Sequence, residues 1–210
     1  MRIKDKINKK NGGITLTSVC ITKFYSFIID GTLNKPSFTL KLYIKSLSLV
    51  LKRFLLENDL KTAIIKSTKY VSDKYKTSFK EMPIISIGIC NNNNGLLEVA
   101  VINDIKCYLK SNNLITLTDK QANNHSILDI NNFIYYTIPY DEPFSILFCN
   151  KVFQNYQEFL KLDDESFNCL IKEQGFRYCF GHIKRIQESN NDKNKEIINS
   201  PAAGLYKILV

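Results

Sequence analysis

The sequence predicts an α+β protein in which two consecutive helices pack over antiparallel strands. Three observations carry this prediction. Apolar and hydroxylated residues alternate from Ile14 to Thr22, and after Lys23 an apolar, aromatic run, Phe24-Tyr25-Ser26-Phe27-Ile28-Ile29, follows at once, so the pair reads as a hairpin. Apolar residues then recur at three- and four-residue spacing along Phe38–Glu57 and again over residues 59–79, the period of two amphipathic helices. Finally, four short apolar runs between Ile84 and Thr118 are separated by Asn/Gly-rich and Ser-Asn-Asn segments, the turn chemistry of an antiparallel meander.

Taken in order, residues 1–13 form a basic lead-in (Arg2, Lys4, Lys6, Lys9, Lys10) that is expected to be flexible, and residues 14–210 form a single domain. The basic start before an apolar stretch loosely mimics a secretion signal, but the threonine alternation after Ile14 belongs to a strand, and a cytoplasmic protein is expected. The strand of Phe24–Ile29 ends in Asp30-Gly31, and glycine at that point is expected to stop it, because Gly adopts backbone angles that other residues resist. A carboxylate there is costly to desolvate without a metal ion, a Lys or Arg, or backbone N–H groups as partner.

Ser37 is placed to cap the first helix, whose inner face carries Leu40, Tyr43, Ile44, Leu47, Leu51 and Leu55. Asn58 or Asp59 caps the second, with Ala63, Ile64, Ser67, Val71 and Tyr75 inward and Lys61, Lys69, Lys74 and Lys76 outward. The meander strands are residues 84–90, 96–103, 105–110 and 114–118. Beyond Asp119 the pattern yields a strand at 144–149, a helix from Asn150 to about Leu162, a helical stretch over 165–188 interrupted by Gly175 and Gly181, and a last strand at 205–210.

Composition narrows the function classes. A 44% hydrophobic content in 210 residues argues against disorder, and no apolar run approaches the eighteen or so residues of a spanning helix, so no membrane is expected. The formal charge of +9 points to an acidic partner, a phosphoprotein or another acidic protein. A basic nucleic-acid-binding domain is an alternative, but basic residues interleaved with exposed aromatics or glycine-rich loops are missing. The six cysteines (Cys20, Cys90, Cys107, Cys149, Cys169, Cys179) are scattered through mostly apolar runs, as buried free thiols are. Cys179 and His182 have ligand-like spacing, but a zinc site needs a second such pair. His125 sits in a polar loop.

A hairpin with Asp-Gly, two helices and then a strand meander is a recognisable order. Within the meander, Val101-Ile102-Asn103-Asp104-Ile105-Lys106-Cys107-Tyr108-Leu109 stands where a Val-Gly-Asp-Ser-Arg-x-Tyr-Leu segment would fall, and Leu117-Thr118-Asp119 stands at a leucine-threonine segment. The chain resembles the metal-dependent protein phosphatases of type 2C, the PPM family, in short and degenerate form. That resemblance implies a four-layer αββα fold, an antiparallel β-sandwich flanked by helices. It also implies two manganese or magnesium ions in the sandwich cleft that activate a water to attack a phosphoryl group. Carried across, Asp30 would bridge the ions, the Gly31 carbonyl would ligate one, and Asp104 matches a motif aspartate.

The departures from that family are equally specific. Its first acidic motif falls in the lead-in, where Asp5 is the only acid. Lys151 replaces a ligand aspartate after the apolar strand ending at Cys149, and Ala203-Gly204 replaces the closing Asp-Asn. The ligand count implies a non-catalytic relative, a pseudophosphatase or regulatory protein with at most weak manganese or magnesium binding and no catalytic residues. The alternative is an active manganese- or magnesium-dependent serine/threonine phosphatase whose missing carboxylates come from Asp5 or from Asp163 and Asp164. Lys151 beside Asp30 would discriminate against activity, since its ammonium would stand where a metal should.

Overall fold

β-Branched and aromatic residues dominate the strand at the centre of the fold, Tyr25–Leu33, and its alternation sends side chains to two different cores. Tyr25, Phe27 and Ile29 face a helical layer, while Ile28 faces a second sheet. The computed structural model describes residues 2–5, 14–22, 24–33, 38–79, 82–93, 95–110, 114–117, 130–140, 144–149 and 204–209. Its elements in chain order are β1 (Arg2–Asp5), β2 (Ile14–Ile21), β3 (Tyr25–Leu33), α1 (Phe38–Glu57), α2 (Leu60–Tyr75), β4 (Ile84–Asn93), β5 (Leu96–Ile102), β6 (Lys106–Lys110) and β7 (Leu114–Thr116). A 3-10 turn, Ile130–Asn132, precedes β8 (Ile134–Pro139), β9 (Phe144–Cys149) and β10 (Gly204–Leu209).

The strands form two antiparallel sheets, β1-β2-β3-β4-β5-β8 and β10-β9-β6-β7. Helices α1 and α2 cover the outer face of the larger sheet, where Tyr43 meets Tyr75 and Phe79 edge-on at 5.6 and 5.7 Å between ring centres. Its other face packs on the smaller sheet, with Ile28, Val99 and Val101 against Cys107, Ile146 and Phe148. This is the expected α+β architecture with a helix layer and a β-sandwich. The helices expected after Asn150, which would form the fourth layer, lie outside the described residues, as do His125, Cys169, Cys179 and His182.

Asn58 and Asp59 divide the work between the two helices. The Asn58 amide side chain donates to the Phe54 carbonyl at 3.0 Å and closes α1. Asp59, extended at φ −60° and ψ 162°, accepts from the Thr62 N–H at 2.8 Å and opens α2. That N–H also holds the Asp59 carboxyl below its usual range. Replacing Asp59 with Ala should cost about 1 kcal/mol of stability in urea unfolding, and Asp59→Asn should retain most of it.

Several sequence expectations are corrected. Arg2–Asp5, expected to be part of a flexible lead-in, forms an edge strand paired antiparallel with β2, Arg2 opposite Val19 and Asp5 opposite Leu16. Asp30-Gly31 does not stop β3. The strand runs on to Leu33, paired on both sides as far as Thr32, and Gly31 is not in a left-handed conformation. Glycine fits there for a different reason: a Cβ would lie 2.5 Å from the Cδ1 atom of Ile44 on α1, which would have to shift. Asn91–Asn93, expected in a turn, extend β4, and α2 ends at Tyr75 rather than near Phe79. The meander is also divided. β4 and β5 pair in one sheet, whereas β6 and β7 pair in the other, and the chain crosses between them at Asn103–Ile105.

Candidate functional site

The crossing depends on Asn103, which takes a left-handed backbone conformation (φ 57°) that Asn tolerates better than branched residues. Its side chain is buried and its Nδ2 donates to the Ile85 carbonyl at 2.7 Å, tying the turn to β4. Asp104 follows, half-buried, with its backbone N–H donating to the Ser86 hydroxyl at 3.3 Å. Ser86 lies directly across from Asp30, and Asp30 directly across from Thr17. The Thr17 hydroxyl donates to Asp30 Oδ1 at 2.5 Å, a separation typical of hydroxyl-to-carboxylate bonds.

One row of the larger sheet therefore reads Lys4, Thr17, Asp30, Ser86, and Asp104 is hydrogen-bonded to its last member. Alternation along β3 puts Asp30 on the side of Ile28, the side that faces the second sheet. Of the expected metal ligands, Asp30 lies across from Ser86, and the backbone of Asp104 reaches the same Ser86 hydroxyl. Gly31 lies one residue further along β3, and its lack of a side chain serves the packing of α1. Asp5 sits across from Leu16, which sits across from Gly31, so Asp5 falls one position outside the row of Asp30.

The ends of the smaller sheet converge on the same crossing. Cys149, the last residue of β9, pairs with Lys106, two residues after Asp104, and Gly204 at the start of β10 pairs with Cys149. Lys151, Ala203, Asp119, Asp163 and Asp164 lie outside the described residues. Sequence reasoning did not find Thr17, Ser86 or Asn103. Ser86 carried a signal: it is the lone hydroxyl in the apolar run of residues 84–90.

The donor set matches two metal ions poorly. Divalent manganese or magnesium takes about six oxygen ligands each, with carboxylates offsetting dehydration. Among the described residues no group of three Asp, Glu, His or Cys side chains is placed to hold a metal. Asp30 and Asp104 supply two carboxylates, and one of them is already engaged by Thr17.

No sequence-family profile matches the chain, and no curated protein matches it. Solved structures do. The catalytic domain of the serine/threonine protein phosphatase PstP, in complex with two manganese ions, superposes with a TM-score of 0.66 at 10% identity, covering 100% of this chain and 96% of that one. The fold is that of the PPM-type phosphatases. The PPM serine/threonine phosphatase MsPP from Mycobacterium smegmatis gives a TM-score of 0.62 at 9% identity, covering 100% of this chain and 96% of that one. RsbX in complex with magnesium gives 0.56 at 7% identity, covering 99% and 91%. Identities this low establish a shared phosphatase 2C-like fold. Among the described residues no helix is long and apolar enough to cross a membrane.

Proposed function

We propose that this chain is a phosphatase 2C-like protein that acts by binding a partner rather than by turnover, a pseudophosphatase or regulatory relative of the active enzymes. The observation that carries this reading is the row around Asp30, where the cross-strand neighbours are two hydroxyl residues and, beyond Thr17, a lysine. Positions beside a metal-bridging carboxylate need further carboxylates, because hydroxyls cannot offset the charge of two dications. Asp30, the Gly31 carbonyl and Asp104 would then form at most a weak manganese or magnesium site. The partner is an acidic protein or a phosphoprotein met in the cytoplasm, in keeping with the formal charge of +9. The metals in PstP and RsbX make manganese and magnesium the ions to try.

Calorimetric titration with manganese and magnesium, followed by hydrolysis of an aryl phosphate and a phosphothreonine peptide, tests the reading. The expected result is weak or no metal binding and turnover no greater than that of an Asp30→Asn variant. Replacing Lys151 with Asp should raise metal affinity without restoring turnover. Robust manganese-dependent hydrolysis that vanishes in Asp30→Asn would establish an active phosphatase instead, with Asp5, Asp163 and Asp164 as the carboxylates to locate next.

A further inference from the structure

Helix α1 is apolar on two opposite faces. Its inner face (Leu40, Tyr43, Ile44, Leu47, Leu51, Leu55) is buried against α2 and the sheet. Its outer pole carries Phe38, Leu42, Leu49 and Leu56, which are 75, 39, 51 and 69% exposed. At 3.6 residues per turn these four fall within an arc of about 40° and form a ridge about 27 Å long. A helix that shows apolar side chains inward and outward is normally covered on both sides.

The surroundings of the ridge are basic. Lys41, Lys45 and Lys52 border it on one side and Arg53 on the other, and Lys61, Lys69 and Lys74 extend the basic surface over α2. Between Phe38 and Tyr75 there are eight Lys and Arg against three Asp and Glu. Leu42, Leu49 and Leu56 stand seven residues apart, and Lys45 and Lys52 follow the first two by three, the spacing of the two core positions of a coiled-coil seam. A second copy of this chain would set Lys45 and Lys52 against like charges. A membrane surface calls for a broad apolar face, and this ridge is narrow.

We propose that the outer ridge of α1 is a docking seam for an acidic amphipathic helix of a partner protein. The partner's leucines pack between Leu42, Leu49 and Leu56, and its glutamates meet Lys45 and Lys52, since Arg53 is already paired with Glu57 at 3.6 Å. This surface lies on the opposite side of the larger sheet from Asp30, so the proposal stands whether or not the Asp30 row binds metal.

The test uses the intact chain and two labelled helical peptides, both with leucines at seven-residue spacing, one flanked by glutamates and the other by lysines. Fluorescence anisotropy should show saturable binding of the glutamate peptide, weakened by added salt, and none of the lysine peptide. Leu49→Glu and the double change Lys45→Glu, Lys52→Glu should each weaken binding at least tenfold, with unchanged thermal melting because these side chains point away from the core. Absence of saturable binding, or equal binding of the two peptides, would overturn the proposal. So would self-association in sedimentation that Leu49→Glu abolishes, which would make a second copy the occupant. Leucine-dependent partition onto phosphatidylglycerol vesicles without peptide binding would assign the ridge to a membrane. Slow maleimide labelling of a Leu49→Cys variant in the free protein, read on the tryptic peptide, would show the ridge covered by the chain itself.

Discussion

Raising the pH from 9 to 11 should destabilise the protein steadily, because several buried acids are harder to ionise in the folded chain than in the unfolded one. Burial pushes the Cys107 thiol well up, and the neighbouring Cys90 and Cys149 raise it further. Burial also raises Cys149, with Lys106 offsetting a little of the shift, and it pushes Tyr43 up to about 12. Each is an acid that is neutral when protonated and harder to ionise folded than unfolded. Its contribution is complete below the unfolded pKa, about 8.5 for thiols and about 10 for tyrosine, and is lost as the pH rises toward the folded value. The loss is about 1.4 kcal/mol per pH unit for each group. Two thiols act above pH 9 and Tyr43 joins them above pH 10. Urea unfolding under reducing conditions at pH 8 to 11 measures the slope, and Cys149→Ala should make it shallower by about a third above pH 10. A flat profile to pH 11 would mean that the interior of the sandwich is open to water.

Gly88→Val should cost about 3 kcal/mol or more, because overpacking a filled core forces the surrounding side chains off their rotamers. A Cβ at Gly88 would meet the Phe148 Cδ1 atom at 2.6 Å and the Ile105 Cγ2 atom at 2.8 Å, a ring and a β-branched side chain with little room to move. Phe148 is fully buried, so Phe148→Leu alone should be destabilising as well. The two changes combined should cost clearly less than their sum, because the smaller side chain admits the valine. Denaturant midpoints of the four proteins complete this cycle. Strict additivity would mean that β4 and β9 do not meet across the sandwich, and the stacking of the two sheets would be wrong.

Much of this architecture was legible because it depends on local periodicity. The 3.6-residue recurrence from Leu40 to Leu55 needed only neighbours on one helix, and the alternation in β2 and β3 needed only one sheet face. The motif order around Asp30 and Asp104 also pointed to a fold that the structural comparison supports. β8 was missed although Ile134-Tyr135-Tyr136-Thr137-Ile138 is rich in β-branched and aromatic residues and is framed by Asn131-Asn132 and Pro139.

By itself, then, the sequence determined the two helices, the β2–β3 hairpin and most of the later strands, and which faces of the helices are apolar. Only the tertiary structure decided that β5 and β6 part at Asn103 to enter different sheets, and that Arg2–Asp5 joins the larger one. It also gave Gly31 its role as the point where Ile44 of α1 comes close, and it aligned Thr17, Asp30 and Ser86 in one row. Those outcomes rest on pairings between residues far apart in the chain. Register and sheet choice are set by the packing of both faces at once, and no local pattern of apolar residues encodes that.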